Sequence, residues 1–215
     1  MNEEIYSIIL GNNQEDLFGS ENDAVLIYNL FYTFYLKDEY WKKPIIFLNS
    51  DVILENLIYS LKKIKKNSTL IIYFSGHSNK LGYLKFYNNL YSSNDILNII
   101  NKFSENIYFI IDSCFGKKFL KYNSNIKIRY IVSTTEIQTS KEILINYKKQ
   151  MFSHKNIIKQ TDKIVVGIFT FYFYKILLSE NLQNIDEWKN NVLNNEVWFI
   201  INKNYNQKIF YYQNF

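Results

Sequence analysis

Cysteine and proline each occur once in the 215 residues, as Cys114 and Pro44, arginine occurs once, as Arg129, and glycine only six times. A lone cysteine cannot close an internal disulfide, which points to a reducing, cytoplasmic setting. One proline and no Gly/Ser-rich stretch leave no linker, and no repeat is visible, so a single domain over 1–215 is expected, with no prodomain. Long apolar runs are missing too. The longest, Ile164 to Tyr174, has 11 residues and is broken by Gly167 and Thr170, against the roughly 20 that span a bilayer. The acidic start Met1-Asn2-Glu3-Glu4 lacks the layout of a signal peptide, and no membrane partner is expected. Scarce arginine excludes more. The net charge of +5 is carried by lysine, whereas phosphate and guanine recognition lean on the guanidinium fork. The densest basic cluster, Lys62, Lys63, Lys65 and Lys66, falls where a helix would end and complements its dipole. No nucleic-acid partner is expected, and no Gly-rich phosphate loop occurs.

What is present is an alternation of strand-like and helix-like segments. Ile5 to Leu10 is a short apolar run ending in Gly11-Asn12-Asn13. From Asn22, Ala24, Ile27, Tyr28, Phe31 and Phe34 recur at helical spacing. Pro44 to Leu48 predicts a second strand, with Ser50 as N-cap of a helix carrying Leu54, Leu57, Leu61 and Ile64. Thr69 to Phe74 is apolar on both faces, as a central parallel strand must be. A hairpin is expected around Asn88-Asn89, then a Ser92/Asp95 cap pair before Ile96, Ile99, Ile100 and Phe103, and a fourth strand over Asn106 to Ile111. Arg129 to Ser133 predicts a fifth strand and Phe169 to Leu178 a helix. Asn184 with Glu187 would open another helix, and Lys208 to Tyr212 would close the sheet. Glu136 to Lys163 reads as a polar, lysine-rich loop with Lys148-Lys149 exposed. The order predicts an α/β fold, a mostly parallel central sheet of about six strands with helices on both faces. Ligands in such sheets sit at the carboxyl ends of the strands.

Two strand ends there carry reactive side chains. The third strand runs into Ser75-Gly76-His77 and the fourth into Asp112-Ser113-Cys114, so imidazole and thiol each lie two residues beyond the residue that closes the strand. A lone cysteine after a buried strand is ordinarily a small core side chain. The shared offset is what singles this one out. If the strands are neighbours, His77 can deprotonate Cys114, whose ordinary pKa near 8.5 leaves it mostly protonated at neutral pH.

Phe74-Ser75-Gly76-His77 with Asp112-Ser113-Cys114 resembles the paired SGH and DSC signatures of metacaspases, in the caspase-like group of cysteine peptidases. The spacing, 114 − 77 = 37 residues, is shorter than the roughly 50 of caspases. Asn22-Asp23-Ala24 is similar to the start of the family's first helix, and Ser133 followed by Glu136 to Ser140 with Glu142, Gly167-Ile168-Phe169-Thr170 and Gln207 are similar to its later blocks, in order. The resemblance implies a caspase-like fold with a large-subunit-like part over about 1–125 and a small-subunit-like part over about 126–215. It also implies Cys114 as nucleophile, His77 as acid/base, backbone N–H groups of Ser78 and Cys114 as oxyanion hole, and Asp23, Ser75 and Asp112 as the S1 pocket for a Lys or Arg side chain. A single arginine agrees with that choice, since a pocket for aspartate needs guanidinium groups. The expected partners are protein or peptide substrates with a basic P1 residue, acted on by a monomer. Taken alone, Asp23 is a first-turn helix acid and Asp112 a strand-end acceptor.

The chain departs from the family pattern at Ser78, where a glycine is usual and a positive φ would strain serine, and at Phe115-Gly116 after the cysteine. Between His77 and Asp112 the only acids are Asp95 and Glu105, too few for a dedicated calcium site. No metal or cofactor is expected. Two other readings fit the residues: a caspase-like pseudopeptidase that regulates by binding, and an α/β nucleotide-binding protein without its usual loop.

Overall fold

The structure, a computed structural model, describes residues 3–14, 17–120, 127–134, 139–146, 163–179, 185–188, 207 and 210–213. In chain order the elements are β1 (Ile5–Gly11), α1 (Ser20–Lys37), β2 (Ile45–Leu48), α2 (Leu54–Leu61), β3 (Thr69–Ser75), β4 (Leu84–Lys85), β5 (Leu90–Tyr91), α3 (Ser93–Ile100), β6 (Asn106–Asp112), β7 (Lys127–Val132), β8 (Glu142–Asn146), β9 (Lys163–Gly167), α4 (Ile168–Ser179) and β10 (Phe210–Gln213). Six strands form one sheet in the order β10-β7-β6-β3-β1-β2. Five run parallel, and β10 is antiparallel to β7.

Side-chain alternation on the central strands explains the two covered faces. Ile71, Tyr73, Tyr108 and Ile110 point into a core shared with α1 and α4. Ile72, Phe74, Phe109 and Ile111 point the other way, onto α2 and α3. Every residue of β3 is buried, which accounts for its lack of any polar/apolar period. The first core is aromatic: Trp188 stacks on Phe31 at 5.9 Å and meets Phe173 edge-on at 5.7 Å. At the carboxyl end of β1, Gly11 lets α1 touch the sheet. A Cβ there would lie 2.5 Å from both Ala24 Cβ and the Ser20 carbonyl. That contact fixes the first turn of α1, and with it Asp23, above the strand ends.

Local signals held in some places and failed in others. Ser92 and Asp95 form the expected reciprocal capping box on α3, and β4 and β5 make the hairpin around Asn88-Asn89. Ser50 is not an N-cap. Asn49–Asp51 make a 3-10 turn, and α2 starts at Leu54 after Ile53 with no side-chain cap. The stretch from Glu136 to Lys163 is not all loop, because β8 pairs antiparallel with the start of the apolar run, β9. Its Ile143 and Ile145 pack on the α1/α4 core while Leu144 faces solvent, a two-residue alternation masked by the surrounding lysines. Ile185–Glu187 is a 3-10 turn; Asn184 and the Lys148-Lys149 pair lie outside the described residues. No helix among the described residues is long and apolar enough to cross a membrane.

Candidate active site

The register of β3 and β6 decides the site. Ser75 pairs with Asp112 at the end of the ladder, so the equal offsets bring His77 and Cys114 to the same edge of the sheet. His77, Cys114, Asp23, Ser75 and Asp112 line one cavity of about 50 Å³, together with Leu17, Ser20, Gly76, Ser140, Glu142 and Gly167. Five of the six residues named from sequence meet there, and the sixth, Ser78, adjoins it: its hydroxyl donates to the Cys114 carbonyl.

The imidazole is oriented by backbone. His77 Nε2 lies 2.7 Å from the Gln14 carbonyl, and because a carbonyl only accepts, Nε2 carries the proton and Nδ1 is left to receive one. Cys114 is half-buried. Its pKa is pushed up by burial and by the Asp112 charge, against an opposing pull from the Ser140 N–H and Lys141. Thr134, fully buried, ties the loop that carries Cys114 from both sides. Its hydroxyl donates to the Ser113 carbonyl and accepts from Gly116 N–H, both at 2.8 Å.

Backbone strain sits one residue past the cysteine. Phe115 has φ of 51°, and among the described non-glycine residues only Asn49 shares that region. The expected strain at Ser78 is absent, since Ser78 is extended and bridged to Leu84. The flanking bonds, Lys85 N–H to the His77 carbonyl and Asn79 N–H to the Tyr83 carbonyl, make Ser78 and Leu84 a pair that exchanges no hydrogen bonds. The Ser78 N–H is therefore directed away from the hairpin.

Two carboxylates lie beneath the thiol and imidazole. Asp23 accepts from Ser75 Oγ at 2.8 Å and Gly167 N–H at 2.7 Å. Asp112 accepts from Ser140 Oγ at 2.5 Å and from Thr170 Oγ1 at 2.7 Å; the Tyr73 hydroxyl completes that chain by bonding Thr170. Both are buried, and a Cβ on Gly167 would collide with both carboxylates. Burial pushes the Asp23 carboxyl well above its ordinary range, and the Asp112 charge adds to it; burial likewise raises Asp112. A third acid, Glu142, lines the cavity while accepting from Gly19 N–H at 2.6 Å. The loop before β8 is pinned at Lys141, whose N–H donates to Gln207 Oε1 at 3.3 Å and whose carbonyl accepts from Ile168 N–H at 2.9 Å.

Gln14, Thr134, Ser140 and Glu142 were not assigned site roles from sequence. Only Ser140 and Glu142 gave a signal, by standing in the block after the fifth strand.

The family model described as the caspase domain matches residues 5–182. Among solved structures, protein GSU0716 from Geobacter sulfurreducens superposes with a TM-score of 0.64 at 11% identity, covering 98% of this chain and 93% of that one. That likeness is one of fold. A search of curated proteins gave no match.

Proposed function

The chain belongs to the caspase-domain family of cysteine peptidases, and from that premise we propose that it is a metacaspase-like endopeptidase cutting after Lys or Arg with Cys114 and His77. The observation that carries this reading is the pair of buried carboxylates, Asp23 and Asp112, in the same cavity as thiol and imidazole. Among the described residues no ion pair reaches either acid. Two buried acids pressed together and lacking a cation form a receptor for one, and Glu142 adds to the same charge.

In the proposed reaction the thiol proton passes to His77 Nδ1 as sulfur attacks the carbonyl carbon after the basic residue. The oxyanion is met by the N–H groups of Ser78 and Cys114. The imidazolium then gives its proton to the leaving amine as the C–N bond breaks, and water, deprotonated by the same imidazole, hydrolyses the thioester. Gln14 holds the tautomer throughout. Calcium plays no part in this proposal. Asp95 is spent on its capping box and Glu105 faces Lys66 at 3.7 Å, so neither joins an oxygen cage.

Fluorogenic peptides with Arg, Lys or Asp at P1, assayed with calcium and with chelator, test the reading. The expected result is cleavage after Arg and Lys that ignores chelator, with kcat/KM falling by about 10⁴ or more in Cys114→Ala. The left-handed Phe115 and the raised Cys114 pKa favour one other reading, a pseudopeptidase. Silence from folded protein on every peptide would select it.

A further inference from the structure

The acidic pocket and the thiol are parts of one device. Asp112 and Cys114 stand two residues apart at the end of β6 and line the same cavity. Ser140 stands next to both: its hydroxyl holds Asp112 Oδ1 at 2.5 Å, and it lines the same cavity as Cys114. The thiol is faced by His77 from the end of β3, Asp112 from β6, Asp23 from α1 and Glu142 from β8, with Lys141 beside them. Three of these are carboxylates lining one cavity of about 50 Å³. Negative charge beside a half-buried thiol opposes thiolate formation. A cation placed among the carboxylates cancels that opposition.

We infer that occupancy of the pocket by the cationic P1 side chain itself activates Cys114, with Ser140 as the positioning residue that links the pocket carboxylate to the sulfur. The inference rests on the acidic-pocket reading above. Its consequence is that a basic P1 residue is expressed in kcat as well as KM, while a peptide lacking it meets a dormant thiol.

Alkylation by iodoacetamide reads this without any peptide cleavage. The Cys114 sulfur displaces iodide: the S–C bond forms, C–I breaks with its electron pair leaving on iodide, and the thiol proton goes through His77 to buffer. The sequence holds one cysteine, so intact mass reports that site alone. The rate is measured at neutral pH against n-butylguanidinium, with n-butylurea as uncharged control and calorimetric titration to follow binding. Guanidinium is expected to accelerate alkylation, by about threefold for each unit the thiol pKa falls, because a tenfold gain in thiolate is partly offset by lower nucleophilicity. The pH profile moves to lower pH, and butylurea does nothing. Asp112→Asn alkylates faster than wild type with no ligand and ignores guanidinium. Ser140→Ala still binds guanidinium but with a smaller acceleration, restored in Ser140→Thr; undiminished acceleration in Ser140→Ala removes Ser140 from the link. Guanidinium that binds yet leaves rate and pH profile unchanged, or slows alkylation, overturns the inference and leaves the acidic pocket standing. No calorimetric binding at all overturns both.

Discussion

The two ends of the central sheet treat carboxylates in opposite ways. At the amino end of β1, Glu4 lies at the surface with Lys65 at 2.8 Å and Lys42 at 3.2 Å. The Lys65 and Tyr6 hydrogen bonds pull its pKa down to about 2. At the carboxyl ends of β3 and β6, Asp23 and Asp112 are buried, share no cation among the described residues, and have raised pKa values. The same chemical group is settled at one end and held under repulsion at the other. Raised pKa values of this kind, from burial and, at Asp23, from the neighbouring Asp112 charge as well, are what functional sites concentrate and what an ordinary surface carboxylate is spared.

The strongest way to break the comparison is to neutralise the pocket. Asp23→Asn or Asp112→Asn should lower kcat/KM for Arg substrates by about 10²- to 10³-fold, the cost of one buried partner of a charge pair. Either variant should also melt roughly 2–4 °C higher at pH 7.5. A raised acid disfavours the folded state increasingly as pH climbs from its ordinary 3.8 toward its folded value, so removing the charge stabilises above that window and does little below it. Differential scanning calorimetry at pH 3.5 and 7.5 checks the sign; a loss of stability at pH 7.5 would mean the acids serve the fold.

Next in size is the loop that carries Cys114. Thr134→Val removes the hydroxyl that grips Ser113 and Gly116 and should cost about tenfold in kcat with KM little changed, measurable by steady-state kinetics. The smallest effect is expected at the settled end. Glu4→Gln should leave activity intact and lower the melting temperature slightly at pH 7. Because Glu4's folded pKa is depressed, its contribution is present above the ordinary 4.5 and fades as pH falls toward 2, so the variant and wild type should converge near pH 2 and in high salt.

The strands were legible because burial on both faces leaves an unbroken apolar run, as in Thr69–Ser75, and the α3 cap because its Ser92/Asp95 spacing is local. That His77 and Cys114 line one cavity was legible for a geometric reason: equal offsets past neighbouring parallel strands lead to the same edge. Other parts of the site were hidden by the same logic. Gln14 acts through a carbonyl that every residue possesses, and Thr134 acts by reaching across to the Cys114 loop, 18 residues from Gly116. Ser140 and Glu142 sit in a segment whose polarity reads as loop until β9 is seen to pair with it. Ser50 misled because a capping residue type is not a cap unless the chain turns into a helix directly after it.

The most direct measurement is the intact mass of the full chain after incubation, with chelator present, with peptidyl acyloxymethyl ketones carrying Arg, Lys or Asp at P1. The expected result is a single adduct from the Arg and Lys reagents, absent in Cys114→Ala, and none from the Asp reagent. Labelling by the Asp reagent, or no labelling of folded protein by any of the three, would contradict a Cys114 nucleophile served by an acidic pocket.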